Sequence, residues 1–506
     1  MRNSFYLSTL CGILAEVFTG RGATLGLLSL TLVLGLYGIQ RSLWLDESWV
    51  ANSVNAPTLG GMFYYPNWLQ TSPPLFLLLA RGFVRTFGLN TVVLRSVPLV
   101  LSLAAVWTML GAGRRVVSAP FAILATAALA FHPTVVEYFR SFKQYGGEVA
   151  ATGAVLWASI AYLQKPERRQ FGILLAVTAA AMGLSYPTAF LLPGLITAIA
   201  FQDRVRALTL AGVAGAELAI FFWFLIRPNY TPELRAYWIG DPEVWLAPGM
   251  IAAVAFCAFV AGRLALARRS LETRDWISVV LLAPCLLLFV SELAGLYPAS
   301  PRTHLFVRPC FLLLVAMNLE DLSAWLVARW SRLPVDAVVL AAAAIVVLLG
   351  LRKQFHEGRF QPEEDMVGAV RYLRKNVAPS DLILVHASLR EGFLLYTKIQ
   401  GWTNPPVIYG DTEWPCCPRG KHAGPDASKP EEVLHDLDSK VPHEFSGRIW
   451  LFYTDRPLHW DYVRVYDPKL WQQYFWSRNC RPAVYIRFAN LGLTPMICSP
   501  VSRNSP

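Results

Sequence analysis

Two adjacent carboxylates, Asp46 and Glu47, are the residues most able to do chemistry in this 506-residue sequence. They stand beside Trp44 and Trp49, and Trp is typical of a membrane interface, where an ionised group is costly unless it is paired or used. One interpretation is structural: Asp46 is the N-cap of a helix, and the helix dipole favours acids in its first turn. An N-cap aspartate can also act as a base, so both roles stay open.

The composition indicates that a bilayer surrounds most of the chain. Hydrophobic residues make up 55% and charged residues 16%, with a mean hydropathy of +0.40, whereas a soluble domain carries about 25% charged residues. We expect a multi-pass protein of the cell inner (plasma) membrane, surrounded by membrane lipid.

The net charge of +11 does not indicate a nucleic-acid partner. Lys and Arg recur in short clusters between apolar stretches, as basic residues kept on the cytoplasmic side do. The clusters are Arg114-Arg115, Lys165-Arg168-Arg169, Arg204-Arg206, Arg263-Arg268-Arg269 and Arg329-Arg332.

Apolar stretches predict about eleven membrane-spanning helices, since a span needs roughly 20 apolar residues. With the N-terminus inside, every basic cluster falls in a cytoplasmic loop, and everything after about residue 352 faces out. The predicted spans are 23–40, 94–112, 120–133, 147–163, 171–186, 188–201, 207–226, 247–262, 276–293, 306–328 and 335–351.

The chain divides into a membrane domain, residues 1–352, and an extracytoplasmic domain, residues 353–506. A first outer loop covers 41–93, and its apolar stretch with Arg81 and Arg85 favours a helix lying in the interface. In the second domain, short apolar runs alternate with helical stretches, which predicts a small α/β fold with a partly parallel sheet. The predicted strands are 382–385, 407–409, 449–453 and 484–486.

No dinucleotide-binding or phosphate-loop motif follows these strands, so we assign the second domain no cofactor. Four cysteines, Cys416, Cys417, Cys480 and Cys498, lie in it. In an oxidising compartment they would form one or two disulfides, whose pairing the sequence leaves open.

The order of five motifs resembles the GT-C superfamily of membrane glycosyltransferases, and within it the protein mannosyltransferase and aminoarabinose-transferase branch. The likeness covers roughly residues 20–325 and adds an expectation of a polytopic α-helical bundle. The motifs are LWLDESWV, SPPLFLLL, FGLNTVVLRSVPLVLSL, HPTVVEYFRSFKQYGGEVA and RTHLFVRPCFLLLVAMN.

The resemblance implies an enzyme that moves a single sugar, with inversion, from a polyprenyl-phosphate carrier to the hydroxyl of a glycan, lipid or protein acceptor at the outer face. By the match, Asp46 is the general base that accepts the hydroxyl proton. Glu47 would orient the acceptor, tune its neighbour or hold a divalent metal. Ser72 stands where the family often has a charged residue before the Pro-Pro pair, which argues against a metal held there.

A lipid-phosphate leaving group requires cations near its developing charge. The donor-phosphate candidates, with the two Arg that can bind bidentately first, are Arg302, Arg308, His304, Arg140 and Lys143. Candidates for the substrate pocket are Gln144, Tyr145, Glu137 and Glu148, while Glu292 and His132 fall near predicted outer ends of spans and would line the donor pocket.

The main alternative function is a transporter or flippase for a lipid or lipid-linked sugar. Such a protein would carry paired ionisable residues near the bilayer midplane and often two related halves. Midplane charge is sparse here and no repeat is evident, so the sequence favours the enzyme. A catalytically inactive scaffold whose outer domain binds a partner is the third interpretation.

Overall fold

The structure is a computed structural model, and it describes only part of the chain. The described residues are 20–66, 69–230, 248–267, 271–298, 300–330, 334–356, 364–409, 430–442, 445–454 and 468–499.

The described residues up to 356 form helices and no strands. Short 3₁₀ turns lie at Tyr186–Leu191 and Leu305–Val307, and a π-helical turn lies at Phe222–Ile226. The helices are α1 Arg21–Leu36, α2 Leu45–Val54, α3 Leu59–Phe63, α4 Pro74–Phe87, α5 Thr91–Val116, α6 Ala119–Ala130, α7 Pro133–Arg140, α8 Tyr145–Gln164, α9 Arg168–Leu184, α10 Leu192–Ala200, α11 Arg204–Phe221, α12 Pro248–Ala267, α13 Thr273–Leu293, α14 Arg308–Arg329 and α15 Val335–His356.

Each predicted span coincides with one of these helices, and the chain is a membrane protein with several apolar helices. Among the described residues, five helices are long and apolar enough to cross a bilayer, or six if α6 and α7, bent by 63°, form one span. The number of eleven spans stays a prediction. The five are Thr91–Val116, Arg204–Asn229, Thr273–Leu293, Leu305–Arg329 and Val335–His356.

The segment 41–93, predicted as an outer loop, contains three helices, α2 to α4. Pro74 occupies the first turn of α4, where its fixed φ and missing N–H are tolerated. Arg81 donates to the carbonyl oxygens of Val54 and Ala56 at 2.9 and 2.7 Å, so it closes the turn that follows α2. The segment between the predicted spans 120–133 and 147–163 is also partly helical, because α7 covers Pro133–Arg140.

Small residues let the central helices approach closely. A Cβ atom at Gly153 of α8 would lie 2.5 Å from the Thr108 hydroxyl of α5. Close backbone approach through small residues is the usual way that helices associate in a bilayer, where apolar burial alone gives little. The α5–α8 contact forms the centre of the bundle, and the ends of both helices border the site described below.

The C-terminal part contains helices and strands in alternation. The elements are α16 Met366–Asn376, β1 Leu382–Val385, α17 Arg390–Ile399, β2 Val407–Tyr409, α18 Pro430–Lys440, β3 Gly447–Thr454, α19 Pro468–Ser477, β4 Cys480–Pro482, β5 Ile486–Phe488 and β6 Leu491–Cys498. The strands form a mixed six-stranded sheet with strand order β2-β1-β3-β6-β4, and β5 pairs with β6. β1 is parallel to β2 and β3, whereas β3 and β6 are antiparallel, in agreement with the predicted partly parallel sheet.

Two sequence predictions about this part are resolved by the structure. The strand predicted at 484–486 is displaced by two residues, since β5 covers Ile486–Phe488. Cys480 and Cys498 form a disulfide between paired positions of β4 and β6. Cys416 and Cys417 lie outside the described residues.

Candidate active site

Helix α2 carries both acids of the predicted pair in its first turn. Its N-cap is Trp44, not Asp46, so the interpretation of Asp46 as N-cap is wrong. The Trp44 backbone N–H donates to Glu47 Oε2 at 3.2 Å, which satisfies one of the donors that a helix start leaves open. Both acids lie at the positive end of the helix dipole.

Glu47 is fully buried and held by three donors. Its Oε2 lies 2.8 Å from an Arg95 guanidinium nitrogen, and its Oε1 accepts from the Phe142 backbone N–H at 2.5 Å. Arg95 also donates to the carbonyl oxygens of Ser42, at 3.1 Å, and Arg140. The Glu47–Arg95 pair therefore ties α2 to α5 and to the connection after α7.

Arg95 is a residue that the sequence analysis missed as part of the site. It stands in the motif that opens α5, at an outer end of a predicted span, and an arginine there was the only available signal. Arg140, predicted to bind phosphate, is buried, and its carbonyl accepts from Arg95.

Asp46 has a different environment from its neighbour. Its side chain is 22% exposed, and its Oδ2 lies 3.6 Å from Lys143 Nζ and 3.9 Å from an Arg302 guanidinium nitrogen. Lys143 is buried, with its ammonium 4.0 Å from the centroid of the Trp49 ring. Burial lowers the pKa of Lys143, and the charge of Asp46 opposes that shift. Asp46, Lys143 and Arg302, predicted site residues from three distant motifs, thus lie together.

A second polar cluster borders an apolar cavity of about 390 Å³. His304 Nε2 lies 2.5 Å from Glu292 Oε1, and an Arg308 guanidinium nitrogen lies 2.6 Å from His132 Nδ1. His132, His304 and Arg308 line the cavity, whose remaining walls come mainly from apolar residues of α6, α12, α13 and α14. His304 is two residues from Arg302. One short segment therefore contributes both to the cavity and to the group formed by Asp46, Lys143 and Arg302, which we call the Asp46 cluster.

The predicted pocket residues at the start of α8 are mostly buried. Gln144 accepts a hydrogen bond from the Ser72 hydroxyl at 3.3 Å, and the Tyr145 ring meets Tyr138 edge-on at 4.8 Å between centroids. Glu148 is buried, and its Oε2 makes no hydrogen bond with the described residues.

Glu137 is half-buried, and its backbone carbonyl accepts from the Ser141 hydroxyl at 3.0 Å. This contact holds the turn between α7 and the Lys143 segment.

The surroundings of Glu47 do not fit a metal ligand. Both of its oxygens accept hydrogen bonds from protein donors. Across the described ranges, no three His, Cys, Asp or Glu side chains form a group that would hold a metal ion.

The fold and the site together define a class: a membrane protein with a helical bundle, a mixed α/β sheet after it, and a partly exposed carboxylate beside two cations. Residues 71–229 match the family described as dolichyl-phosphate-mannose-protein mannosyltransferase. That match includes α4 to α11, the region of the Pro-Pro motif and of Lys143.

Solved structures share the architecture over nearly the whole chain. ArnT from Cupriavidus metallidurans bound to undecaprenyl phosphate is 14% identical with a TM-score of 0.55, over 94% of this chain and 98% of that one. The apo state of the same protein gives 15% identity, the same TM-score and the same coverage. The oligosaccharyltransferase AglB from Archaeoglobus fulgidus, in complex with an inhibitory peptide and a dolichol-phosphate, is 11% identical with a TM-score of 0.51, over 96% of this chain and 75% of that one.

At these identities the structural likeness shows a shared fold. No curated protein sequence matches the chain. The family match and the shared fold confirm the predicted resemblance to the GT-C superfamily, and the enzyme class to which they point is a glycosyltransferase.

Proposed function

We propose that this chain is an inverting glycosyltransferase that moves a single sugar from a polyprenyl-phosphate carrier to an acceptor hydroxyl at the outer face of the membrane. The observation that carries the proposal is the Asp46 carboxylate, partly exposed and framed by Lys143 at 3.6 Å and Arg302 at 3.9 Å. The matched family is described by its dolichyl-phosphate-mannose donor, and the similar structures were solved with undecaprenyl phosphate and dolichol-phosphate.

In the proposed reaction, Asp46 accepts the proton of the acceptor hydroxyl as that oxygen attacks the anomeric carbon. The bond from this carbon to the phosphate oxygen breaks, and its electron pair leaves with the polyprenyl phosphate. A single displacement from the opposite side inverts the anomeric configuration. A positioned base of this kind contributes roughly 10²–10⁴ in rate.

The two cations beside Asp46 suit the leaving group. A phosphate that gains charge in the transition state is stabilised by fixed cations in a site of low dielectric constant. Arg302 offers a bidentate guanidinium, and Lys143 a point charge. Since both already face Asp46, a bound donor phosphate would lie next to the base.

The apolar cavity suits the carrier lipid. Its volume of about 390 Å³ lies in the range of roughly 300–1,000 Å³ that is usual for ligand sites. Arg308 at its polar wall adds a second guanidinium to that of Arg302, so the isoprenoid chain would occupy the apolar part and the phosphate would point toward Asp46.

Two observations support an outward-facing site. The Cys480–Cys498 disulfide is typical of an oxidising compartment. The basic clusters of the sequence fall in the loops assigned to the opposite side. The C-terminal domain, residues 353–506, would therefore be extracytoplasmic.

The test is turnover of radiolabelled polyprenyl-phosphate sugars by the purified protein, with membrane extract as the source of acceptor. The panel includes mannose, glucose, galactose, arabinose and an amino sugar. We expect Asp46→Asn to lower turnover at least 100-fold while it still folds and binds donor. Asp203→Asn is the matched control, since Asp203 caps the start of α11 and pairs with Arg206. Wild-type turnover by Asp46→Asn would overturn the assignment of the base.

A further inference from the structure

The C-terminal domain contacts α2 directly, through two residues of α17. The Tyr396 hydroxyl accepts from the Leu43 backbone N–H at 2.6 Å. Glu391 accepts twice from the Asn52 side-chain amide, at its Oε2 (2.9 Å) and at its backbone carbonyl (2.8 Å). Helices α17 and α2 are thus packed against each other across a sequence separation of more than 300 residues.

These two anchors lie on either side of Asp46. Leu43 precedes the N-cap of α2, whereas Asn52 lies in its last turn. Asp46 itself contacts its cations at 3.6 and 3.9 Å, longer than a typical hydrogen bond. Its location is therefore fixed less by its own contacts than by the orientation of α2, and that orientation depends on the anchors at both ends.

Two further hydrogen bonds extend the contact. The Tyr65 hydroxyl donates to Glu391 Oε2 at 2.8 Å, and the Val367 backbone N–H of α16 donates to the Ser42 hydroxyl at 3.0 Å. Glu391 and Tyr396 are both almost completely buried. A buried acceptor that loses its donor keeps its desolvation cost, so these hydrogen bonds specify one arrangement of the two helices.

We infer that Tyr396 and Glu391 of the C-terminal domain are positioning residues that hold α2, and with it Asp46, in the reacting geometry. The inference rests on the proposed function of Asp46. The C-terminal domain is then a required part of the catalytic centre, in addition to any role in acceptor binding.

Tyr396→Phe in the full chain is the sharpest test, because it removes one hydroxyl and leaves the ring. A misplacement of about 1 Å can lower a rate roughly 100-fold, so we expect kcat to fall 10- to 100-fold with the donor KM within about twofold of wild type. The matched control is Tyr453→Phe, whose hydroxyl is also buried and bonds Thr494 at 2.8 Å within the sheet. The control should keep wild-type kcat.

Glu391 provides a second test, in which a disruptive substitution is compared with a conservative one. Glu391→Ala removes the acceptor of Asn52 and Tyr65, and we expect a loss of kcat similar to that of Tyr396→Phe. Glu391→Gln keeps one side-chain carbonyl oxygen in place and should restore most of kcat. Equal losses in the Ala and Gln variants, or a Tyr396→Phe variant with wild-type kcat, would overturn the inference.

Amide hydrogen exchange separates this inference from the proposed function, because it needs no substrate. We expect exchange in residues 43–54 to be faster in Tyr396→Phe than in wild type, and unchanged in Tyr453→Phe. If wild type transfers no sugar but this pattern appears, the proposed function fails and the anchoring of α2 stands. If exchange in 43–54 is the same in all three proteins, the anchoring fails whatever the activity.

Discussion

At the far end of α14, roughly 20 Å along the helix from Arg308, Arg274 pairs with Glu320 at 3.0 Å and with Asp321 at 2.9 Å. Arg263 lies 3.3 Å from the same Asp321. Around Asp46, in contrast, the two nearest cations stay 3.6 and 3.9 Å away. The far-end network consists of short contacts between partly exposed side chains, whereas the Asp46 cluster has longer contacts and a buried lysine.

The difference separates a network of direct ion pairs from a looser cluster. At the far end, two acids match two bases, and the Ser118 backbone N–H also donates to Glu320 at 2.6 Å, which closes the turn after α5. At the Asp46 end, Lys143 and Arg302 both lie near one carboxylate, at distances longer than a typical hydrogen bond. Two fixed cations beside the proposed base are suited to an anion such as a lipid phosphate.

The largest loss of stability is expected at the buried ion pair between Glu47 and Arg95, which lies next to Asp46. Arg95→Leu leaves a fully buried carboxylate without its cation, and removal of one partner from a buried pair typically costs about 3–5 kcal/mol. We expect a clear loss of stability, measured as denaturant-induced unfolding in detergent.

The control for that experiment is Glu47→Leu combined with Arg95→Leu. Since the double variant carries no uncompensated charge, it should recover part of the lost stability, although the Trp44 and Phe142 backbone donors lose their acceptor. If Arg95→Leu lowers the free energy of unfolding by less than about 1 kcal/mol, the Glu47–Arg95 pair contributes no more than a surface ion pair does.

A smaller effect, in activity and not in stability, is expected for the cations that face Asp46. Arg302→Gln and Lys143→Gln should each lower kcat/KM for the donor about 10- to 100-fold, because a hydrogen bond to a charged group contributes roughly 1.5–3 kcal/mol. The assay is donor turnover as a function of donor concentration, with Arg263→Gln at the far end as the matched removal of a charge. If Arg263→Gln lowers kcat/KM as much as Arg302→Gln does, the proposed division between the two ends is wrong.

The sequence predicted the helices of the membrane domain best, because the bilayer alone determines where they lie. A bilayer requires helices with satisfied backbone groups, so apolar stretches located the helices of the bundle to within a few residues. Helix α2 was predicted only through the interpretation of Asp46 as a helix start, because residues Glu47–Val54 are all buried and a helix buried all round shows no polar–apolar periodicity.

Part of the candidate site was predicted from the family resemblance. Asp46, Lys143 and Arg302 stand in its motifs, and the structure places them together. Arg95 also stands in a motif, but its role was not predicted, and Tyr396 lies outside the motifs, because both roles depend on contacts that no local pattern encodes. The Leu43–Tyr396 hydrogen bond joins residues 353 positions apart.

The smallest effect is expected for Asp321→Asn at the far end. Asp321 and both of its arginine partners are about 40% exposed, and exposed pairs contribute about 0–1 kcal/mol because water and salt screen them. Arg274 also keeps Glu320 as a partner. We expect the unfolding midpoint of Asp321→Asn to be close to that of wild type, and the difference between the two midpoints to shrink further in high salt. Sugar transfer should be unchanged. A loss of transfer in Asp321→Asn without a loss of stability would show that the far-end network is coupled to the Asp46 cluster along α14, and charges at this end could then no longer be assigned a purely structural role.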